Sequence, residues 1–264
     1  LAAVAWEEGD IDRCERLAGQ GLVEATSPSL IGSRAQILQA LTAVQATRGQ
    51  LQAATSGLSE AEGILKKLGR KNSRVNVLSN LAELLLLQGE LARAMVRADE
   101  AIALSREVLH REAEGNALRI RAMIRLELGD MDGCEEDILP SLVLAEELSL
   151  AQDVVAARFV SGLLSVRRGQ PESARTHLQA GLIAARKQDP ESYAPSLQAL
   201  LAWCWCALDK PELSRRLLGN LQGRLETLPP PRRSQVLLYM AMAFAVIGDR
   251  RRALASARGA NRLA

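Results

Sequence analysis

The side chains of this 264-residue chain whose types and spacing could do chemistry are amides rather than acid–base pairs or nucleophiles. Gln36, Asn76 and Asn116 stand 40 residues apart, and Gln39, Asn80 and Arg119 each follow within one helical turn. Ser196 and Gln235 fall in the same register further along. An amide carries two donors and an acceptor, so a ladder of amides can pair with the backbone of an extended peptide. Asn is also a poor helix former, which makes three of them within two helices unexpected on propensity alone. The alternative is that these amides are solvated or bond across neighbouring helices.

Catalytic constellations are missing from the sequence. The two histidines, His110 and His177, have no metal-ligand partner at helical spacing. Glu135, Glu136 and Asp137 fall on an expected outer helix and read as solvated charge. No glycine-rich loop precedes a lysine to cradle phosphate, and no Gly-x-Ser-x-Gly elbow is present. The chain is therefore expected to be no enzyme and to hold neither cofactor nor metal. Four cysteines without regular spacing argue against a disulfide framework and fit a reducing, cytoplasmic setting. Cys204 and Cys206, two apart, point to different sides of a helix rather than at one metal.

Composition says what must position these groups. Hydrophobic residues make up 48% of the chain and aromatics only 3%, with Ala, Leu, Arg and Glu prominent. That is enough apolar content for a large core, built from helix formers rather than from the residues strands favour. No apolar run approaches the roughly 20 residues of a membrane-spanning helix, and no signal peptide opens the chain. The chain starts without Met and ends within a helical pattern, so it is expected to be a segment of something longer. Net charge is +2, but unevenly spread. Residues 1–30 hold six acids and two bases, whereas residues 210–264 hold eleven bases and three acids. This basic pole, including Arg215, Arg216, Arg232, Arg233 and Arg250 to Arg252, has no interleaved aromatics and no nucleic-acid motif. It is read as a solvated face or a contact for another domain, not as a nucleic-acid surface.

A repeat organises the chain. Gly9, Gly49, Gly89, Gly129 and Gly169 recur every 40 residues, Asp209 continues the series, and Gly248 closes it. Seven residues before each marker stand Ala2, Thr42, Ala82, Ala122, Gly162, Ala202 and Ala241; five after stand Cys14, Ala54, Ala94, Cys134, Ala174, Ser214 and Ala253. All are small. Leu78, Leu81, Ala82, Leu85 and Leu86 show the apolar stripe of a helix. The spacing predicts helical hairpins: a marker ends one helix in the left-handed conformation, and small residues let the pair pack closely. Asp10, Gln50, Glu90, Asp130, Gln170 and Asp249 follow their markers and suit the next helix start. A second break comes about twenty residues on, at Thr26-Ser27-Pro28, Gly69 to Ser73, Gln188-Asp189-Pro190 and Leu228 to Pro231, and less distinctly near Arg111 and Ser149.

Two residues past the markers stand Ile11, Leu51, Leu91 and Met131; twelve past stand Gly21, Ala61, Ala101, Ser141 and Gly181, until Leu221 breaks the run. Across essentially the whole chain this resembles the tetratricopeptide repeat family. It departs in its 40-residue period, against the usual 34, and in lacking most of the family's Trp and Tyr. The longer unit is similar to the helical-repeat sensor regions of MalT-like ATPase transcription activators and to repeat regions appended to bacterial protein kinases.

The resemblance implies an all-α right-handed superhelix of about seven hairpins, a single array over residues 1–264 whose first helices line a concave groove. It implies a protein or peptide segment in that groove, touched by Gln36, Gln39, Asn76, Asn80, Asn116 and Arg119. Repeats of this family that clamp a C-terminal carboxylate need Lys, Asn and Arg in successive first helices. The corresponding positions here include Glu83 and Ile120, so that mode is not expected. Trp203 and Trp205 flank Cys204 and cannot both face one way. One is expected in the core and the other partly exposed, with Trp203 a groove candidate; alternatively both fill space left by absent family aromatics. The expected role is a sensor or scaffold segment of a larger bacterial regulator. A small-molecule sensor in an ATPase- or kinase-containing parent and self-association through the end hairpins are the alternatives.

Overall fold

The computed structural model describes residues 10–185 and 193–263. The readings at Ala2, Gly9, Gln188-Asp189-Pro190 and the two chain ends lie outside them. Among the described residues there is no strand. The elements are α1 (Ile11–Glu24), α2 (Ile31–Thr47), α3 (Leu51–Lys67), α4 (Lys71–Leu87), α5 (Leu91–Glu107), α6 (Arg111–Glu127), α7 (Met131–Glu147), α8 (Ala151–Arg167), α9 (Pro171–Ala185), α10 (Ala194–Ala207), α11 (Pro211–Gln222), α12 (Pro230–Ile247) and α13 (Arg250–Asn261). Helices α2 to α8 each run 17 residues. The chain divides into two units, Leu1–Ile124 and Arg125–Ala264.

Every described marker turns in the left-handed region. Gly49, Gly89, Gly129, Gly169 and Gly248 have φ between 68° and 84°, and Asp209 takes the same region at φ 56°. At Gly89 the amide donates to Leu86 O and that of Glu90 to Leu85 O, which closes the last turn of α4 on itself. Asp10, Asp130 and Asp249 then accept from the backbone amides of Arg13, Gly133 and Arg252, satisfying a donor that the helix start leaves over. The indistinct second break also has a fixed form. Gly69, Leu109 and Ser149, again 40 apart, have φ of 64°, 57° and 55°. The sequence hid this turn because Leu109 and Ser149 adopt a conformation usually left to glycine.

The small-residue register is the packing interface within each unit. Thr42, Ala82, Ala122, Ala202 and Ala241 are buried, as are Cys14, Ala54, Ala94, Cys134, Ala174 and Ser214. A β-carbon built on Gly162 would stand 2.5 Å from Leu178 Cδ2, so the buried Leu178 side chain of α9 packs directly on the α8 backbone and would have to shift for any side chain at 162. Unit 1 is filled by Leu58, Leu65, Leu81 and Leu84 around Ala54 and Ala61, and by Leu85, Ile120 and Ile124 around Ala82, Ala94 and Ala98. Burial pushes the Cys134 and Cys204 thiols up to about 12, so both behave as small hydrophobes.

A polar clasp, not foreseen from the sequence, ties successive hairpins within a unit. At three junctions the residue before the marker reaches back to the second helix of the preceding hairpin. Arg48 pairs with Asp12 and Glu15, Gln88 Nε2 donates to Thr55 Oγ1 at 2.7 Å, and Arg168 pairs with Asp132 and Glu135 at 2.8 Å each.

Candidate functional site

In unit 1 the first helices α2 and α4 border a groove of about 240 Å³, lined by Gln39, Thr42, Ala43, Ala46, Leu58, Asn80, Glu83, Leu84 and Leu87. Its floor is apolar because Leu58 and Leu84 belong to the buried core beneath it. Its polar groups come from one stripe of each helix, since residues three, four and seven apart share a helical face. Gln39 and Asn80 therefore meet across one cavity. Gln39 Nε2 donates to Ala35 O at 3.2 Å, which leaves its carbonyl oxygen for a partner. Asn80 is exposed.

Neighbouring polar groups on α4 and α6 form a second cluster. Arg119 Nη2 donates to Asn116 Oδ1 at 2.8 Å and lies 3.8 Å from Glu83 Oε1. The Arg119 side chain is only 11% exposed, whereas that of Glu83 is 44% exposed, so the charge presented to the groove is negative. Asn116 and Arg119 thus bond to each other within α6, across one helical turn. Gln36 and Asn76 are exposed and do not line the groove. Sequence reasoning missed the walls, Ala43, Ala46, Leu84 and Leu87, and valued Glu83 only as a missing clamp residue. The signal was available: these positions lie within two turns of Gln39 and Asn80 on the same helices.

Unit 2 places different groups in the corresponding register. Phe159 stands where unit 1 has Gln39, and Tyr239 where it has Asn80. Their rings lie 6.0 Å apart, and Tyr193 lies 5.7 Å from Phe159. Phe159 and Tyr239 are 3% and 6% exposed. Burial, with Glu127 nearby, raises the Tyr239 hydroxyl above its usual range. Ser196 Oγ donates to Gln235 Oε1 at 3.2 Å, so these two ladder positions satisfy each other. Trp203 and Trp205 are both half-buried around a fully buried Cys204, so neither is the core residue the sequence led one to expect. A recess of about 520 Å³ lies among Glu146, Ser149, Ala151, Val154, Ala180, Ile183 and Ala184, but its one charged group, Glu146, is held by Arg158 at 2.7 Å. Within the basic pole, Arg215, Arg233 and Arg252 pair with Glu212, Glu226 and Asp249.

Among the described residues no group of His, Cys, Asp and Glu could hold a metal ion, and no helix is long and apolar enough to cross a membrane. Hairpins of this length, paired through small residues and turning at left-handed markers, define a tetratricopeptide-like helical repeat. Solved structures share it. A Rap protein complexed with Competence and Sporulation Factor superposes with a TM-score of 0.81 at 15% identity, over 99% of this chain and 72% of that one. The Rap conjugation gene regulator of plasmid pLS20, in complex with the Phr peptide, gives 0.79 at 13% identity, over 99% and 71%. A tetratricopeptide repeat protein from Parabacteroides merdae gives 0.60 at 17% identity, over 99% and 90%. No protein-family model matches the sequence, and no curated protein matches it in sequence.

Proposed function

We propose that this chain is a non-catalytic binding module whose unit 1 groove takes an extended peptide or protein segment. The observation that carries the reading is the pairing of Gln39 and Asn80 over the apolar floor between α2 and α4. Amides would hold the segment's backbone, and Ala43, Ala46, Leu84 and Leu87 would receive an apolar side chain. A volume of about 240 Å³ is below the range of roughly 300–1,000 Å³ typical of small-molecule sites, and suits one inserted side chain. The neighbour solved in complex with the Phr peptide supports the same reading. The module serves as a sensor or scaffold array within a larger bacterial signalling or transcription regulator, where occupancy of the groove is passed to other domains.

Selection of twelve-residue random peptides displayed on phage, with the chain immobilised, tests this. Enriched peptides should bind Asn80→Ala and Gln39→Ala about tenfold more weakly than the unaltered chain, while the melting temperature stays put. Equal binding to both variants would remove the groove from the account.

A further inference from the structure

The clasp between successive hairpins is replaced where the register holds an apolar residue, and at one such place the counterpart is a cation. Arg48, Gln88 and Arg168 each reach a partner 33 residues back, at Glu15, Thr55 and Glu135. The same register next holds Leu208 and Arg175, so a cation stands where two of the counterparts are acids. Arg175 does not turn to Glu172, three residues before it, although Arg215 pairs with Glu212 at that spacing one hairpin later. Its guanidinium carbon lies instead 5.6 Å from the centroid of the Trp205 ring, and Lys210 Nζ lies 5.5 Å from the same centroid. Among the described residues no carboxylate pairs with Arg175, and its Nε is buried without a hydrogen-bond partner.

Stacking on an indole uses the face of a guanidinium and leaves its in-plane N–H edge, which matches the two oxygens of a carboxylate. Arg119 and Arg233 also bury an Nε without a partner, but their Nη groups are paired, whereas among the described residues no hydrogen bond or ion pair engages the Nη groups of Arg175. We propose that Arg175, held over Trp205 and reinforced by Lys210, receives an acidic side chain from a protein partner. The partner would complete from outside an ion pair that other junctions make internally. Charge complementarity favours this occupant, because Lys210 opens a stretch with eleven bases and three acids through residue 264. This surface lies in unit 2 and does not depend on the groove of unit 1.

The probe is an acetylated, amidated peptide of six Glu-Gly repeats, so that only side chains carry carboxylates. It is titrated into the whole chain by fluorescence anisotropy at low and high salt. Expected are binding that weakens with salt, and affinities about tenfold lower for Arg175→Gln and for Leu208→Glu, which supplies an acid in the clasp register. Thermal melts of both variants check that the fold survives. Three results would overturn the proposal: no binding, binding that is the same for a Gln-Gly peptide, or affinities unchanged in both variants. Arg175-dependent binding of a twelve-nucleotide oligothymidylate, stronger than that of the acidic peptide, would assign the surface to nucleic acid instead.

Discussion

Units 1 and 2 are built on one hairpin and differ in what they do with its first-helix face. Both bury the small residues around each marker, and both turn through left-handed residues. Where unit 1 shows Gln39 and Asn80 over a groove, unit 2 has Phe159 and Tyr239 in ring contact and almost wholly buried. The difference teaches that scaffold and surface are written in separate registers of the same repeat. Small residues fix how hairpins pack; the positions one turn away decide whether a face stays open or closes. Nearest-neighbour packing permits this, since each repeat needs only its neighbours for stability.

The sharpest way to break the contrast is truncation. Phe159→Ala in unit 2 should cost about 3–5 kcal/mol, because it empties a buried aromatic site. Asn80→Ala in unit 1 should stay within about 0.5 kcal/mol, because an exposed amide leaves no cavity. Urea unfolding of the two variants checks both. Similar losses would mean that the unit 1 amides are structural and the comparison false.

A middle-sized effect tests what the units share. Leu109→Gly in unit 1 and Asp209→Gly in unit 2 should each stabilise by up to about 1 kcal/mol. Each relieves a left-handed residue with a side chain, at some cost in unfolded-state freedom. Gly89→Ala should destabilise by a similar amount. Opposite signs for Leu109→Gly and Asp209→Gly would show that the turns are not equivalent.

The smallest effect belongs to unit 2. Burial, and the Arg158 guanidinium 3.3 Å from its ring, lower the His177 pKa below the ordinary 6.5. The unfolded chain then binds more protons than the native one as pH falls through 6.5, so the stability His177 allows is present above that pH and declines below it. Urea midpoints at pH 7.5 and 5.5 should show this decline, and His177→Gln should reduce it.

Much of the fold was legible because its determinants are local and repeated. A glycine every 40 residues and small residues at fixed offsets mark backbone constraints that any sequence of this architecture must meet. Leu109 and Ser149 escaped detection because neither residue type marks a turn: both side chains are exposed, and backbone bonds from His110 N to Ser105 O and from Leu150 N to Ala145 O close the helix ends. The groove was half legible. Gln39 and Asn80 were picked out by periodicity, but their walls were not, since Ala43 and Leu87 read as ordinary stripe residues until neighbouring helices are placed. Nothing in the spacing revealed that Asn116 and Arg119 bond to each other, or that Phe159, Tyr193 and Tyr239 converge from three separate segments. The clasp at Arg48, Gln88 and Arg168 was periodic in plain view, yet an Arg and a Gln share no obvious class until their partners are known.

Hydrogen–deuterium exchange of the whole chain with a phage-selected peptide bound tests the central claim most directly. Slowed exchange within residues 36–47 of α2 and 76–87 of α4, with α8, α10 and α12 unchanged, is the result the open groove predicts. Slowed exchange confined to α8, α10 and α12, or none anywhere at saturating peptide, would contradict it.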